Sequence, residues 1–282
     1  MTALLALLSA VFIGGADFIG GLTSRSANGI RVALLVAVVG LPMALAVSIV
    51  DGADRVGRAD VIWSVLAGIA VSLGIGCFYI GMGRGLISVV APVAAVTGAV
   101  IPVIYALARG ERPGPIALVG LAIAFVAVAG VSLAPSEQHP GAAVVNRNVI
   151  TLALVSGVFF GLFYVAFSRV SDAAGLWPVT IERLAATVVL LVLALVLTSG
   201  PLTGARRVIP ATLVIALLEV AAVVPLLLAL QRGPVAIASV VASLYPVTTV
   251  LLAGLVLRER LSRLQYVGVA CALVSVALVS SG

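Results

Sequence analysis

The sequence predicts an all-α integral membrane protein with ten transmembrane helices, arranged as two inverted five-helix repeats. Three observations carry this expectation. First, the 282 residues are 63% hydrophobic and only 9% charged. A soluble domain carries about 25% charged residues, so this chain has too little polar material to cover a water-facing surface. Second, the apolar residues come in runs, such as 32–50, 61–80 and 187–198. A membrane-crossing helix needs about 20 mostly apolar residues. Third, one turn occurs twice: "RGERPGPIALVG" at 109–120 and "LRERLSRLQYVG" at 257–268.

Gly, Pro and charge divide the chain into ten spans, at 3–22, 32–50, 61–81, 89–107, 115–134, 149–167, 177–199, 211–230, 237–256 and 264–281. The opening stretch "MTALLALLSAVFIGGADF" has no basic n-region and runs past signal-peptide length. It reads as the first span, not as a cleaved leader. The gap "APSEQHPGAAVVNRN" is polar and holds Pro and Gly. It divides the chain into a first repeat at 1–135, a linker at 136–148 and a second repeat at 149–282.

The net charge of +6 comes from arginine alone; lysine is absent. The arginines fall one to three at a time in gaps between apolar runs. That is the pattern of loop anchors beside a lipid bilayer, and it argues against a nucleic-acid partner. Cys77 and Cys271 sit inside apolar runs and read as small buried hydrophobes, with no disulfide framework. The single histidine, His139, lies in the polar linker and reads as solvated. No metal-ligand set, phosphate loop or catalytic triad stands out, so neither a metal nor a cofactor is expected.

The repeat sets the architecture. Laying 84–122 over 232–270, a shift of 148, pairs Arg84 with Arg232, Gly85 with Gly233, Glu111 with Glu259, Arg112 with Arg260 and Gly120 with Gly268. A fainter echo, "GGLTSRS" against "YVAFSRV", is shifted by 144. Each shift covers five spans. A copy displaced by an odd number of spans enters the bilayer upside down, which is the inverted-repeat plan of many secondary transporters.

At this point the residues resemble a known family. The ten-span pattern and the two turns look like the EamA-type members of the drug/metabolite transporter superfamily. The stretch "GPVAIASVVASLYPVTTVLLAGLVLRERLSRLQYVG" is the most specific part, with Pro246 thirteen residues before Glu259 and Gly268 nine after it. The first half departs from this pattern, with Gly98 at the position matching Pro246 and Pro102 four residues later. The resemblance implies transport of a small organic solute, such as an amino acid, another metabolite or a drug-like compound. It also implies a multi-pass protein of the cytoplasmic membrane with both termini inside. Arginine counts argue the reverse orientation, with six on the N-terminal side and nine on the other.

Candidate site residues follow from cost. A charged acid at mid-bilayer costs about 2.5–3.5 kcal/mol on insertion scales, so it needs a cavity or a partner. Asp17 in the first span and Glu219 in the eighth are such acids, and both are candidates for binding a solute or carrying a coupled proton. Gly14, Gly20 and Gly21 give Asp17 a small-residue face, suited either to close helix packing or to open space. Under the repeat, Asp17 aligns with Gly161 and Glu219 with Val71, so the scaffold is symmetric and its charges are not.

Arg31 and Arg183, at roughly equivalent places near the starts of the second and seventh spans, read as interfacial anchors or as a Glu182–Arg183 helix-end pair. The alternative is a gate or a site for a substrate carboxylate. Tyr79, Tyr164 and Tyr245 lie within spans and are candidates for the site, the alternative being aromatics of the headgroup belt; Tyr245, beside Pro246, lies deepest. Pro92, Pro225 and Pro246 each free a backbone carbonyl and are candidate hinges. Glu111 and Glu259 read as structural turn residues, each near the positive N-terminal end of the following helix. Gly120 and Gly268 belong to the same turns. Ser262 and Gln265 form a capping-box pattern for the last helix. The chain is not expected to be an enzyme. The competing reading, a membrane-embedded enzyme acting on a lipid-linked substrate, would require clustered polar groups at one membrane face.

Overall fold

A computed structural model describes residues 1–24, 27–53, 55–84, 87–132, 147–198, 205–257 and 262–281. His139, Glu259 and most of the linker fall outside the described residues, as do the side chains of Tyr79 and Pro92. The described chain is helical throughout, apart from turns and short connections. Its helices are α1 (Thr2–Ser24), α2 (Gly29–Asp51), α3 (Arg58–Arg84), α4 (Ile87–Ala108), α5 (Pro115–Ser132) and α6 (Arg147–Phe167). After a short 3₁₀ turn come α7 (Trp177–Leu197), α8 (Ala205–Arg232), α9 (Val235–Ala242), α10 (Tyr245–Val256) and α11 (Arg263–Ser281).

Among the described residues, eight segments are long and apolar enough to cross a bilayer, and two shorter apolar helices, Val93–Ala108 and Pro115–Gly130, make up the ten. Helices are the natural solution, because lipid offers no partner for an open backbone N–H or C=O. The ninth span corrects the expectation of one continuous helix. It crosses as two pieces, α9 and α10, separated at Ser243 and Leu244. Pro246, in the first turn of α10, has no N–H for the carbonyl of Ala242, so the helix restarts there.

Local signals set several ends. Asn28 caps α2, its side-chain oxygen accepting from Ile30 N at 3.0 Å and Arg31 N at 3.4 Å. After α4, Gly110 takes φ 88°, and Glu111 N donates to Ala106 O at 3.0 Å. This is a glycine-terminated helix end that few other residues could close. The capping box at α11 forms as expected: Ser262 N donates to Gln265 Oε1 at 2.8 Å, and Gln265 N to Ser262 Oγ at 3.3 Å.

The helices pack in pseudo-symmetric pairs. α5 lies against α11 and α2 against α7; α1 against α8 matches α6 against α3; α1 against α9 and α10 matches α6 against α4. When the repeats are exchanged, the first two pairings map onto themselves and the others onto each other. Small residues make the interfaces, since apolar burial gives helices little drive to associate in lipid. Ala6, Ala67, Ala106, Ala153, Ala216 and Ala236 are fully buried, whereas Leu4, Leu195, Leu255 and Leu273 project outward. Gly120 and Gly268, the repeated glycines, both serve the α5–α11 contact. A Cβ on Gly120 would meet Val279 Cγ2 at 2.7 Å, and Gly268 Cα lies where a Cβ on Gly130 would come within 3.4 Å.

Candidate functional site

A cavity of about 180 Å³ lies between the two repeats, walled by α1–α4, α6–α8 and the break between α9 and α10. Its wall is mostly apolar, with Val36, Val71, Ile75, Phe160, Phe163 and Val223 among the lining residues. Its polar groups are Asp17, Tyr164, Glu182, Arg183, Glu219, Ser243 and Tyr245.

Arg183 anchors this set. It is the seventh residue of α7, nearly two turns beyond the helix start, and its side chain is 7% exposed. Nη1 of Arg183 donates to Glu219 Oε2 of α8 at 2.6 Å. This corrects the anchor and helix-end readings: the partner of Arg183 is an acid on another helix, inside the protein. Gly40 of α2 lies beside the guanidinium; a Cβ there would stand in ordinary contact, 3.6 Å from Arg183 Nε. Glu182, which the sequence reading treated only as a neighbour of Arg183, is 3% exposed and lines the cavity. Its Oε2 has no hydrogen-bond partner, and neither does Arg183 Nε. The missed signal was the Glu-Arg pair one turn inside an apolar run, where only a cavity or a third charge makes both tolerable.

Asp17 stands two turns from the C-terminal end of α1, exposed, and lines the cavity. Its glycine face does both things expected of such a face. Gly20 lines the cavity with nothing within 4 Å of where a Cβ would be. A Cβ on Gly14 would sit 2.5 Å from both Thr248 Cβ and Tyr245 O. That contact holds the start of α10 against α1, and Thr249 Oγ1 adds a hydrogen bond to Gly14 O at 3.1 Å. Tyr245 is thereby placed at the helix break, facing Asp17's cavity.

Tyr164 is 6% exposed on α6, with its ring centroid 5.6 Å from that of Phe163. Pro225, buried in α8, leaves the carbonyl of Ala221 without its usual N–H beside lining residues Ala222 and Val223. Arg31 is elsewhere. Its Nε donates to Thr198 Oγ1 at the end of α7, at 3.1 Å, and it does not line the cavity. The rough equivalence of Arg31 and Arg183 therefore fails, because Arg183 lies a turn deeper.

On the face carrying residues 1 and 281, hydrogen bonds stitch the halves together. Asp60 accepts from Ser171 N at 2.8 Å and from Ser171 Oγ at 3.1 Å. Asp51 accepts from Leu176 N at 2.9 Å. Ser48 and Thr180 share a bond of 2.8 Å. Glu111 departs from expectation. Its carboxylate accepts from Val235 N at 2.9 Å and Ala236 N at 3.2 Å. It therefore caps α9 of the other repeat, and not α5, the next helix in sequence. The physical reason given for it still applies, since the N-terminus of α9 is a positive helix end.

An inverted pair of five-helix repeats around a charged, membrane-embedded cavity defines the transporter class of membrane protein. The EamA-like transporter family profile matches residues 1–133 and 147–281, and the chain belongs to that family. It is thus a multi-pass membrane transporter of small solutes. A comparison with curated protein sequences found no match. A solved structure titled "Crystal structure of protein" is 15% identical and superposes with a TM-score of 0.77, over 99% of this chain and 98% of that one. It shows a shared fold.

Proposed function

We propose that this protein is a secondary transporter that moves a small organic solute across the cytoplasmic membrane by alternating access. The observation that carries this reading is the cavity between the repeats, where an ion pair and two further acids meet inside a bundle of apolar, membrane-length helices. Buried charge of this kind marks substrate and ion pathways. The stitched face and the cavity above it fit one state of a two-state cycle, in which the repeats rock about the site. The repeats at 1–135 and 149–282 are the moving units in this reading, and both termini face the cytoplasm.

Proton coupling belongs to the same proposal. The titratable groups that face the cavity are Asp17, Glu182, Glu219, Tyr164 and Tyr245, beside the permanent charge of Arg183. Counterflow in proteoliposomes with a pooled panel of amino acids, organic cations and phosphorylated metabolites tests the reading. Wild type should move at least one solute, and Asp17→Asn or Glu219→Gln should abolish that movement or its pH dependence. Wild-type movement left unchanged by both substitutions would remove the acids from the mechanism. Movement independent of pH would remove the proton.

A further inference from the structure

The charges of the cavity do not balance. Three carboxylates, Asp17, Glu182 and Glu219, face one guanidinium, Arg183, which is the only basic side chain lining the cavity among the described residues. Glu219 and Arg183 neutralise each other at 2.6 Å. Asp17 has no ion-pair partner among the described residues. Glu182 is 3% exposed, and its Oε2 accepts no hydrogen bond. A buried carboxyl oxygen without a donor is costly, and a ligand that brings a donor would complete it; the excess of acids over the single guanidinium favours a donor that also carries positive charge. The same wall carries Phe78, Phe160, Phe163, Tyr164 and Tyr245. Aromatic faces attract cations, especially when desolvated.

We propose that the cavity selects a small organic ammonium ion over anionic and neutral solutes, with Asp17 and Glu182 as its counter-charges and the aromatic rings as its walls. This assignment rests on reading the cavity as the transport site. An anion would have to break the Arg183–Glu219 pair while approaching two further carboxylates. A neutral solute can donate to Glu182 Oε2 but leaves the excess of acidic groups over the one guanidinium unbalanced. One added proton would lower the excess negative charge without reversing it, so the preference survives partial protonation. A volume of about 180 Å³ lies below the range of about 300–1,000 Å³ for drug-sized ligands, so the ion is compact.

The test is a charge series on purified wild-type protein. Thermal stability is measured with choline, with butylammonium, with choline's uncharged carbon isostere neopentyl carbinol, and with the anionic analogue tert-butylacetate. A ligand that binds the folded protein raises its stability with the logarithm of its concentration over its Kd. At least one ammonium should stabilise the protein, and the neutral and anionic analogues should not. Asp17→Asn and Glu182→Gln, which keep shape and polarity, should each weaken ammonium binding about tenfold or more. The wild-type series decides the matter even if one variant does not fold. Equal stabilisation by the neutral or anionic analogue, or none by either ammonium, overturns the proposal. Counterflow of radiolabelled ammonium in proteoliposomes separates the two readings. Binding without counterflow keeps the cation site and removes transport through it. Counterflow of an anionic solute keeps transport and removes the cation site.

Discussion

The α2–α3 pair of the first repeat and the α7–α8 pair of the second occupy equivalent places around the cavity, yet they face it with different chemistry. A shift of 148 sets Glu182 and Arg183 of α7 against Leu34 and Leu35 of α2, and Glu219 of α8 against Val71 of α3. Val71 lines the cavity opposite the acids, as an ordinary apolar wall. The two backbones solve the same packing problem, and of the two pairs only α7–α8 puts charge into the cavity. Symmetry maintains the bundle here, and its violation places the charges in the cavity.

The largest test converts one repeat into the other. Arg183→Leu alone should leave Glu219 buried without its partner. The expected loss is on the order of 3 kcal/mol, at the low end for a buried pair because the Glu219 side chain is 31% exposed. Glu219→Val alone should do similar harm by orphaning Arg183. The double variant replaces both with the residues of α2 and α3, and it should recover most of the wild-type thermal stability in detergent while transporting nothing. A double variant as unstable as either single one would show that the pair holds the fold together.

A smaller effect tests what the repeats share. Gly14 and Gly157 perform the same task in opposite halves: a Cβ on Gly157 would lie 2.5 Å from Thr97 Cβ and 2.6 Å from Ala94 O. Alanine at either position should destabilise by about 1–3 kcal/mol through overpacking. Gly20→Ala, into open space, should melt like wild type. Unequal losses at Gly14 and Gly157 would mark the half that packs more tightly.

Glu111→Ala should cost about 1–2 kcal/mol, because it strips two acceptors from the start of α9. Glu111→Gln should recover part of that loss, the amide oxygen still accepting. If alanine and glutamine melt alike, the charge and not the hydrogen bond matters there. The smallest expected change is Ser262→Ala at about 1 kcal/mol, confined to the capping box of α11. Amide exchange at the first turn of that helix reads it directly.

Much of this is legible in the sequence alone. Membrane crossing is a local property, since each span satisfies its own backbone and twenty apolar residues declare it. The inverted plan followed from counting spans between two copies of one turn. Asp17 and Glu219 stood out because charge inside an apolar run is costly wherever the neighbours lie. The cap at Ser262 and Gln265 was legible because its partners are three residues apart.

What tertiary structure decided was partnership. Arg183 and Glu219 are separated by 36 positions, and Glu111 and Val235 by 124. Nothing in the chain order joins them. Glu111 sits before one helix in sequence and caps another in space. Glu182 looked like half of a helix-end pair until packing buried it beside a cavity. Composition and period fix which segments enter the membrane, because those energies are summed along the chain. Which side chains meet there depends on where small residues let the helices touch, and that is settled only when all the helices are together.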